Sequence, residues 1–323
     1  MKPFKTYKEQ LAILRDRGLT IEDDSSAMGI LERENYYSLI NGYKDLFLLK
    51  DDNNKPVNPE RYIVGTKFDE IYALYCFDRD LRNILLKELL KFECNIKTKV
   101  AYYFSEAYSQ PNAYLNMVNY SRESSDLKEV LKLISVIFNV ISRQSKKGNP
   151  IGHYLDKHDG VPLWVMVNYL TMGNIQNFYM CLTESLRNKI AREFSNEFKR
   201  SYDEDINITS DVLTNILKTA TLFRNVCAHE ERLYNFKLFK PAKSSQLSQI
   251  MDIENVLLSK GNMFTMTAFL KFVLTKKEYV GYISSLAGLF ASYSNNFKTV
   301  KINDIQEMMG FKEEWRTIVL HND

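Results

Sequence analysis

Glycine, proline and cysteine are all scarce in this chain. Gly 12 and Pro 7 in 323 residues leave few positions that interrupt a helix. The four cysteines, Cys76, Cys94, Cys181 and Cys227, are too widely spaced for a CxxC zinc site or a compact disulfide framework, so reduced, packed thiols are expected. Long apolar runs are missing too. The stretch 130–141 is broken by Lys132 and Asn139 and is too short to span a bilayer, so no membrane association is expected. The opening MKPFKTYKEQ lacks the apolar core of a signal peptide, which predicts a cytoplasmic location. Charge of one sign is also nearly absent in excess. Lys+Arg 43 against Asp+Glu 40 leaves +3, so any nucleic-acid surface has to be a local patch.

What the chain does have is material for a core: 45% hydrophobic and 13% aromatic residues. Apolar residues recur at intervals of three and four, and the expected class is all-α. Thr66-x-x-Asp69 reads as a capping box. Behind it Ile71, Leu74, Leu81, Leu85, Leu89, Phe92, Ile96 and Val100 predict one long helix over residues 66–105. Shorter helices are predicted over residues 7–17, stopped by Gly18, and 25–40, stopped by Asn41-Gly42. Residues 50–65 read as a loop ahead of the long helix, and 145–159 as a loop after a further helix near 125–144. Further helices are predicted from Pro162, from about Ser185, from Ser210 as N-cap, over 263–274, and from the Thr275-x-x-Glu278 box to about Asn295. There is no internal repeat. The segments expected are an N-terminal helical part (1–60), a helical core (61–240) and a C-terminal helical extension (241–323).

The densest chemistry lies in Leu222-Phe223-Arg224-Asn225-Val226-Cys227-Ala228-His229-Glu230-Glu231-Arg232-Leu233-Tyr234-Asn235, which reads RNxxAHxxRxxN from Arg224. Arginine, a polar residue and then histidine after four intervening residues resembles the HEPN ribonuclease pattern. The fuller run resembles the Abi-like (AbiD/AbiF) abortive-infection family. Agreement extends to Glu34-Asn35-Tyr36-Tyr37 leading to Asn41-Gly42-Tyr43, to Phe77-Asp78-Arg79-Asp80-Leu81-Arg82, and to Pro162-Leu163-Trp164 followed by Gly173. The resemblance spans most of residues 1–240. It implies a HEPN-type helical bundle with additional N- and C-terminal helices, an RNA-cleaving toxin of phage defence, and a small structured noncoding RNA as restraining or guiding partner. Arg316 and His321 repeat the interval, but they lack the following Asn and the downstream Arg, and a chain terminus holds catalytic geometry poorly.

Cleavage by in-line attack of the ribose 2′-OH on the adjacent phosphate needs a proton acceptor, a donor for the leaving 5′-oxygen, and stabilisation of charge on the phosphoryl oxygens. Histidine, which titrates near neutrality, suits the proton transfer and points to His229. Arg224 offers a fork of donors for phosphate oxygens. No metal or other cofactor is required; His153 and His158 are not supported as ligands by any cysteine or carboxylate spacing. At 100° per residue Arg224 and His229 point roughly 140° apart on a regular helix, whereas Asn225 and His229 share a face, which makes Asn225 a site candidate that orients the imidazole or touches the phosphate. Convergence then requires either that the helix end near Ala228 or that a second chain supply another motif. HEPN relatives use the second solution, and a homodimer is expected.

Other readings stay open beside these. Arg224 also fits a structural ion pair, and Glu230 and Glu231 fit a solvated helix end. Arg232 and Asn235 fit either packing or RNA contact. Aromatics mixed with basic residues occur at Tyr36, Tyr37, Tyr43 and Lys44, and again at Tyr234, Phe236, Lys237, Phe239, Lys240 and Lys243. Such mixtures stack exposed bases and track phosphates, and they equally form the edge of a tyrosine-rich core. A non-cutting RNA-binding module or a helical interaction protein is the alternative to an enzyme.

Overall fold

The computed structural model describes residues 3–146, 148–241 and 245–320. The all-α expectation holds. Among the described residues the β pairing is limited to three isolated bridges, Thr20 with Lys67, Leu48 with Tyr62 and Lys50 with Pro56. The helices in order are α1 (Tyr7–Asp16), α2 (Asp24–Glu34), α3 (Phe68–Ala107), α4 (Leu127–Gln144), α5 (Pro150–Lys157), α6 (Leu163–Met166), α7 (Met172–Cys181), α8 (Glu184–Tyr202) and α9 (Ser210–Ala228). Beyond them lie α10 (Ser245–Met251), α11 (Asn255–Leu258), α12 (Met263–Leu270), α13 (Lys276–Tyr293), α14 (Ile302–Met309) and α15 (Trp315–Val319). None of the described helices is long and apolar enough to cross a membrane.

The 40-residue α3, about 60 Å long at the helical rise, is the axis of the molecule. Its apolar stripe is buried from Ile71 to Val100, with α7, α8 and α9 packed along one part and α13 along another. The C-terminal extension shares this core. Phe77 of α3 meets Phe290 and Tyr293 of α13 at ring distances of 5.8 and 5.6 Å, and the Tyr293 hydroxyl donates to Asp80 (2.8 Å). At the start of α3 the buried Glu70 carboxylate accepts from the backbone N–H of Lys298 (2.5 Å) and Thr299 (2.8 Å). Charge-assisted bonds of this kind tie residues 298–299 to the N-terminal turn of the long helix.

Several boundaries differ from the expectation, each for a local reason. Thr66 does not cap α3: its hydroxyl donates to the Ile63 carbonyl (2.7 Å), and Glu70 reaches back to the N–H of Lys67 (3.2 Å), so the cap lies one residue on. The α2 helix stops at Glu34, because Asn35 takes φ 62°, and residues Tyr37–Asn41 form a separate π-type turn. The expected loop 145–159 contains α5, which the Asn149 side chain starts by accepting from Ile151 N–H (3.0 Å), with Pro150 in the first turn. The helix from Pro162 is only the short α6. Thr209, not Ser210, caps α9 through Val212 N–H (3.2 Å). The helix expected over 263–274 stops at Leu270, whereas the Thr275–Glu278 capping box stands as read.

Candidate active site

The α9 helix turns Val212, Leu213, Ile216, Leu217, Ala220, Phe223, Val226 and Cys227 into the core. Lys218, Leu222, Asn225 and His229, spaced by four, three and four residues, form an exposed stripe on its opposite side. The helix ends at Ala228. His229 is the C-cap, with φ −98° and ψ 11°, and its backbone N–H donates to Asn225 C=O (2.9 Å). Glu230 then takes φ 55°, so that its N–H reaches Cys227 C=O (3.4 Å) and the N–H of Glu231 reaches Val226 C=O (3.0 Å). This paired closure is a Schellman motif with glutamate in the left-handed position that glycine favours. The turn takes the chain off the helical path directly after the histidine.

Left-handed backbone at a residue with a Cβ costs about 1–2 kcal/mol, part of which glycine gives back as freedom in the unfolded chain. Glu230→Gly is therefore expected to raise stability by about 1 kcal/mol, read as a higher urea midpoint with unchanged slope. A lower midpoint would show that the Glu230 side chain contributes more than its backbone costs.

Arg224 and His229 are not paired with each other. The Nε of Arg224, half-buried, donates to the Glu93 carboxylate on α3 (3.2 Å), and Lys97 occupies the other Glu93 oxygen (2.8 Å). The structural ion pair left open for Arg224 is present, while its two terminal nitrogens make no hydrogen bond among the described residues. The imidazole of His229 is exposed and likewise has no hydrogen bond there. Cys227, inside the motif, is buried, and burial pushes its thiol up to about 12, so it is no nucleophile at neutral pH.

The second half of the motif is fastened from below. Asp78 of α3 is fully buried and accepts from the hydroxyl of Tyr43 (2.8 Å), from Arg82 (2.7 Å), and from the backbone N–H of Leu233 (3.1 Å) and Tyr234 (2.6 Å). Arg82 also donates to the Glu231 carbonyl (3.2 Å). Burial pushes the Asp78 carboxyl above its ordinary range, opposed by Arg82 and the backbone donors. Every one of these neighbours donates, so the carboxylate is the form the site holds. The sequence offers Tyr43 only as a member of an aromatic–basic cluster and of the family resemblance, and Asp78 and Arg82 only as part of that resemblance. The available signal was an acid four residues after Leu74 and three before Leu81, on the buried arc of a helix, where a charge needs a partner.

This anchoring distributes the remaining candidates. Tyr234 is 1% exposed and its ring stacks on Tyr43 (5.7 Å), so the base-stacking role considered for it is replaced by a core one. Tyr43 is equally buried, and Lys44 is paired with Glu60 (2.7 Å), which removes most of the first aromatic–basic cluster. Arg232 donates to Gly42 C=O (2.7 Å) and lies 3.7 Å from Asp45. Asn235 and Lys237 line, with Arg232, a cleft of 830 Å³ whose other wall carries Arg33, Tyr37 and Asn41. Lys240 and Phe239 are exposed outside it; Lys243 and His321 fall outside the described residues. The described residues contain no group of three or more side chains able to hold a metal ion.

Three segments distant in sequence thus meet at one place: residues 33–43, the Asp78–Arg82 turn of α3, and residues 230–237. The sequence profile of the family described as Abi-like protein matches residues 29–235, well over half of the chain. The chain belongs to the Abi-like protein family. The matched span of this Abi-like protein takes in all three segments up to Asn235, and the family association is with abortive infection. No curated protein and no solved structure gives a match.

Proposed function

We propose that this Abi-like protein is a HEPN-type endoribonuclease of an anti-phage abortive-infection system. The observation that carries this reading is the end of α9, where the helix stops and leaves Asn225 and His229 exposed on one stripe while Glu93 holds Arg224 by its Nε. Held there, the guanidinium keeps its terminal nitrogens for a phosphate. The 2′-oxygen of the ribose attacks phosphorus as its proton passes to a base, and the bond to the 5′-oxygen breaks as that oxygen is protonated. His229 carries a proton transfer and Arg224 stabilises the phosphoryl charge. The products are a 2′,3′-cyclic phosphate and a 5′-hydroxyl, and no metal takes part.

Although α9 ends at Ala228, its end does not bring the two side chains together: Arg224 is turned to Glu93 and His229 stays exposed and unpaired with it, so a complete site uses the motifs of two chains, and the active form is a homodimer. A small structured noncoding RNA restrains or guides the enzyme. The experiment is to treat total RNA with the purified protein and to map the ends. Cyclic-phosphate ends that persist in EDTA are the expected result; 3′-hydroxyl ends, or loss of cutting in EDTA, would overturn it. The Arg224–Glu93 pair also favours a second reading, a non-cutting RNA-binding module in which Arg224 is chiefly structural. That reading predicts bound RNA and no new ends.

A further inference from the structure

We infer that the 830 Å³ cleft holds an unstacked nucleotide of single-stranded RNA, its base on the Tyr37 ring and its phosphates on Arg33 and Lys237. This rests on the RNA reading above, adding a place and a strand state, and it does not depend on cleavage. The volume lies in the range of small-molecule pockets.

Tyr37 is the aromatic left in water here. It is 74% exposed, while its neighbour Tyr43 is buried and Tyr75 is occupied, with its hydroxyl on Glu34 (2.7 Å) and its ring edge-on to Tyr43 (5.3 Å). Its backbone is held: the N–H of Tyr37 donates to Asn35 Oδ1 (2.8 Å), and Asn35 itself sits at φ 62° and ψ 125°. Such a conformation is maintained only where the surroundings enforce it, and it concentrates at ligand sites. An exposed ring on a fixed backbone is a stacking platform for a base of any identity.

The cations of the cleft divide into used and unused. Arg82 is spent on Asp78, and Arg232 on Gly42 and Asp45. Arg33 and Lys237 form no salt bridge among the described residues; Arg33 uses only its Nε, which donates to Gly29 C=O (3.3 Å). Glu230 and Glu231 line the same cleft and are exposed. A duplex would bring two phosphate backbones to those carboxylates, whereas a single strand brings one and turns the amino groups of its bases to them. Glu230, which follows His229 directly in the chain, is the first residue of this segment to line the cleft.

The test measures binding of a short fluorescein-labelled RNA to full-length His229→Ala protein, which keeps the RNA intact, by fluorescence anisotropy. Tyr37→Ala on that background is expected to weaken binding about 10-fold or more, and Tyr37→Phe to bind like the parent, since the ring suffices for stacking. The double change Arg33→Ala and Lys237→Ala should weaken binding and lower the salt slope by about one to two. The same RNA annealed to its complement should bind more weakly than the single strand. Circular dichroism checks the fold of each variant. If the parent binds RNA and neither the Tyr37→Ala nor the double variant differs from it, or if the duplex binds more tightly, the cleft assignment is overturned and the RNA reading stands. If the parent binds no RNA, both fall.

Discussion

His229→Ala is expected to lower RNA cleavage by about 10²–10⁴-fold, the usual loss on removing a general acid or base, with folding and RNA binding close to those of the parent. The imidazole is exposed at the C-cap of α9, and the helix closure around it is made by backbone groups alone, so its removal opens no core. Arg224→Ala should behave differently and weaken both binding and cleavage, because a charge-assisted phosphate contact is lost together with transition-state stabilisation. Its effect also includes releasing the buried Glu93 from one of two cations, and for that reason Arg224→Lys is the better comparison: it keeps the charge and loses the fork. His321→Ala is the control for the equally spaced pair at the C-terminus and should leave activity unchanged. Cleavage of total RNA and toxicity in cells, compared at matched expression, decide the matter. Cleavage abolished by His321→Ala and spared by His229→Ala would move the site, and toxicity untouched by either change would remove the nuclease and leave the RNA-binding reading.

Helical class, the long α3 and the α13 capping box were legible because they depend on spacing within one segment: apolar residues at three and four, and Thr275 three residues before Glu278. The failures share a cause as well. Whether Thr66 or Lys67 caps α3 is decided by the Ile63 carbonyl, which competes for the Thr66 hydroxyl, and the pattern T-x-x-D carries no record of that competitor. The α5 helix was hidden by its polar composition although Asn149-Pro150 is a start signal in its own right. At the site, sequence marked Arg224, Asn225 and His229 and set Arg224 apart from the face that the other two share; in α9 Arg224 is turned to Glu93, and Asn225 and His229 lie on one exposed stripe. It mixed Tyr234, which is core, with Lys237, which is surface, since aromatic–basic runs look alike in either place until a long-range partner such as Asp78 separates them.

Asp78→Ala is expected to be the most destabilising single change in the site, costing about 3–5 kcal/mol as for a buried pair broken from one side. The Arg82 side chain is 6% exposed and would lose its counter-charge inside the protein, and Tyr43 and the N–H groups of Leu233 and Tyr234 would lose their acceptor. A loss of this size is a large fraction of the stability of an ordinary domain. Asp78→Asn keeps an acceptor while removing the charge and should cost less. The double change Asp78→Leu with Arg82→Met removes both charges and should cost less than the sum of the single changes, which separates the penalty of an orphaned guanidinium from lost packing. The functional consequence follows from what Asp78 holds. Leu233 and Tyr234 lie between Arg232 and Asn235, so freeing their backbone loosens that wall of the cleft, while α9 keeps its own caps. At a temperature where Asp78→Asn is still folded, RNA affinity should therefore fall with the His229 segment structurally intact. Urea unfolding and anisotropy on the same preparations measure the two effects. An Asp78→Ala protein as stable as the parent would show that the buried carboxylate does not carry this junction.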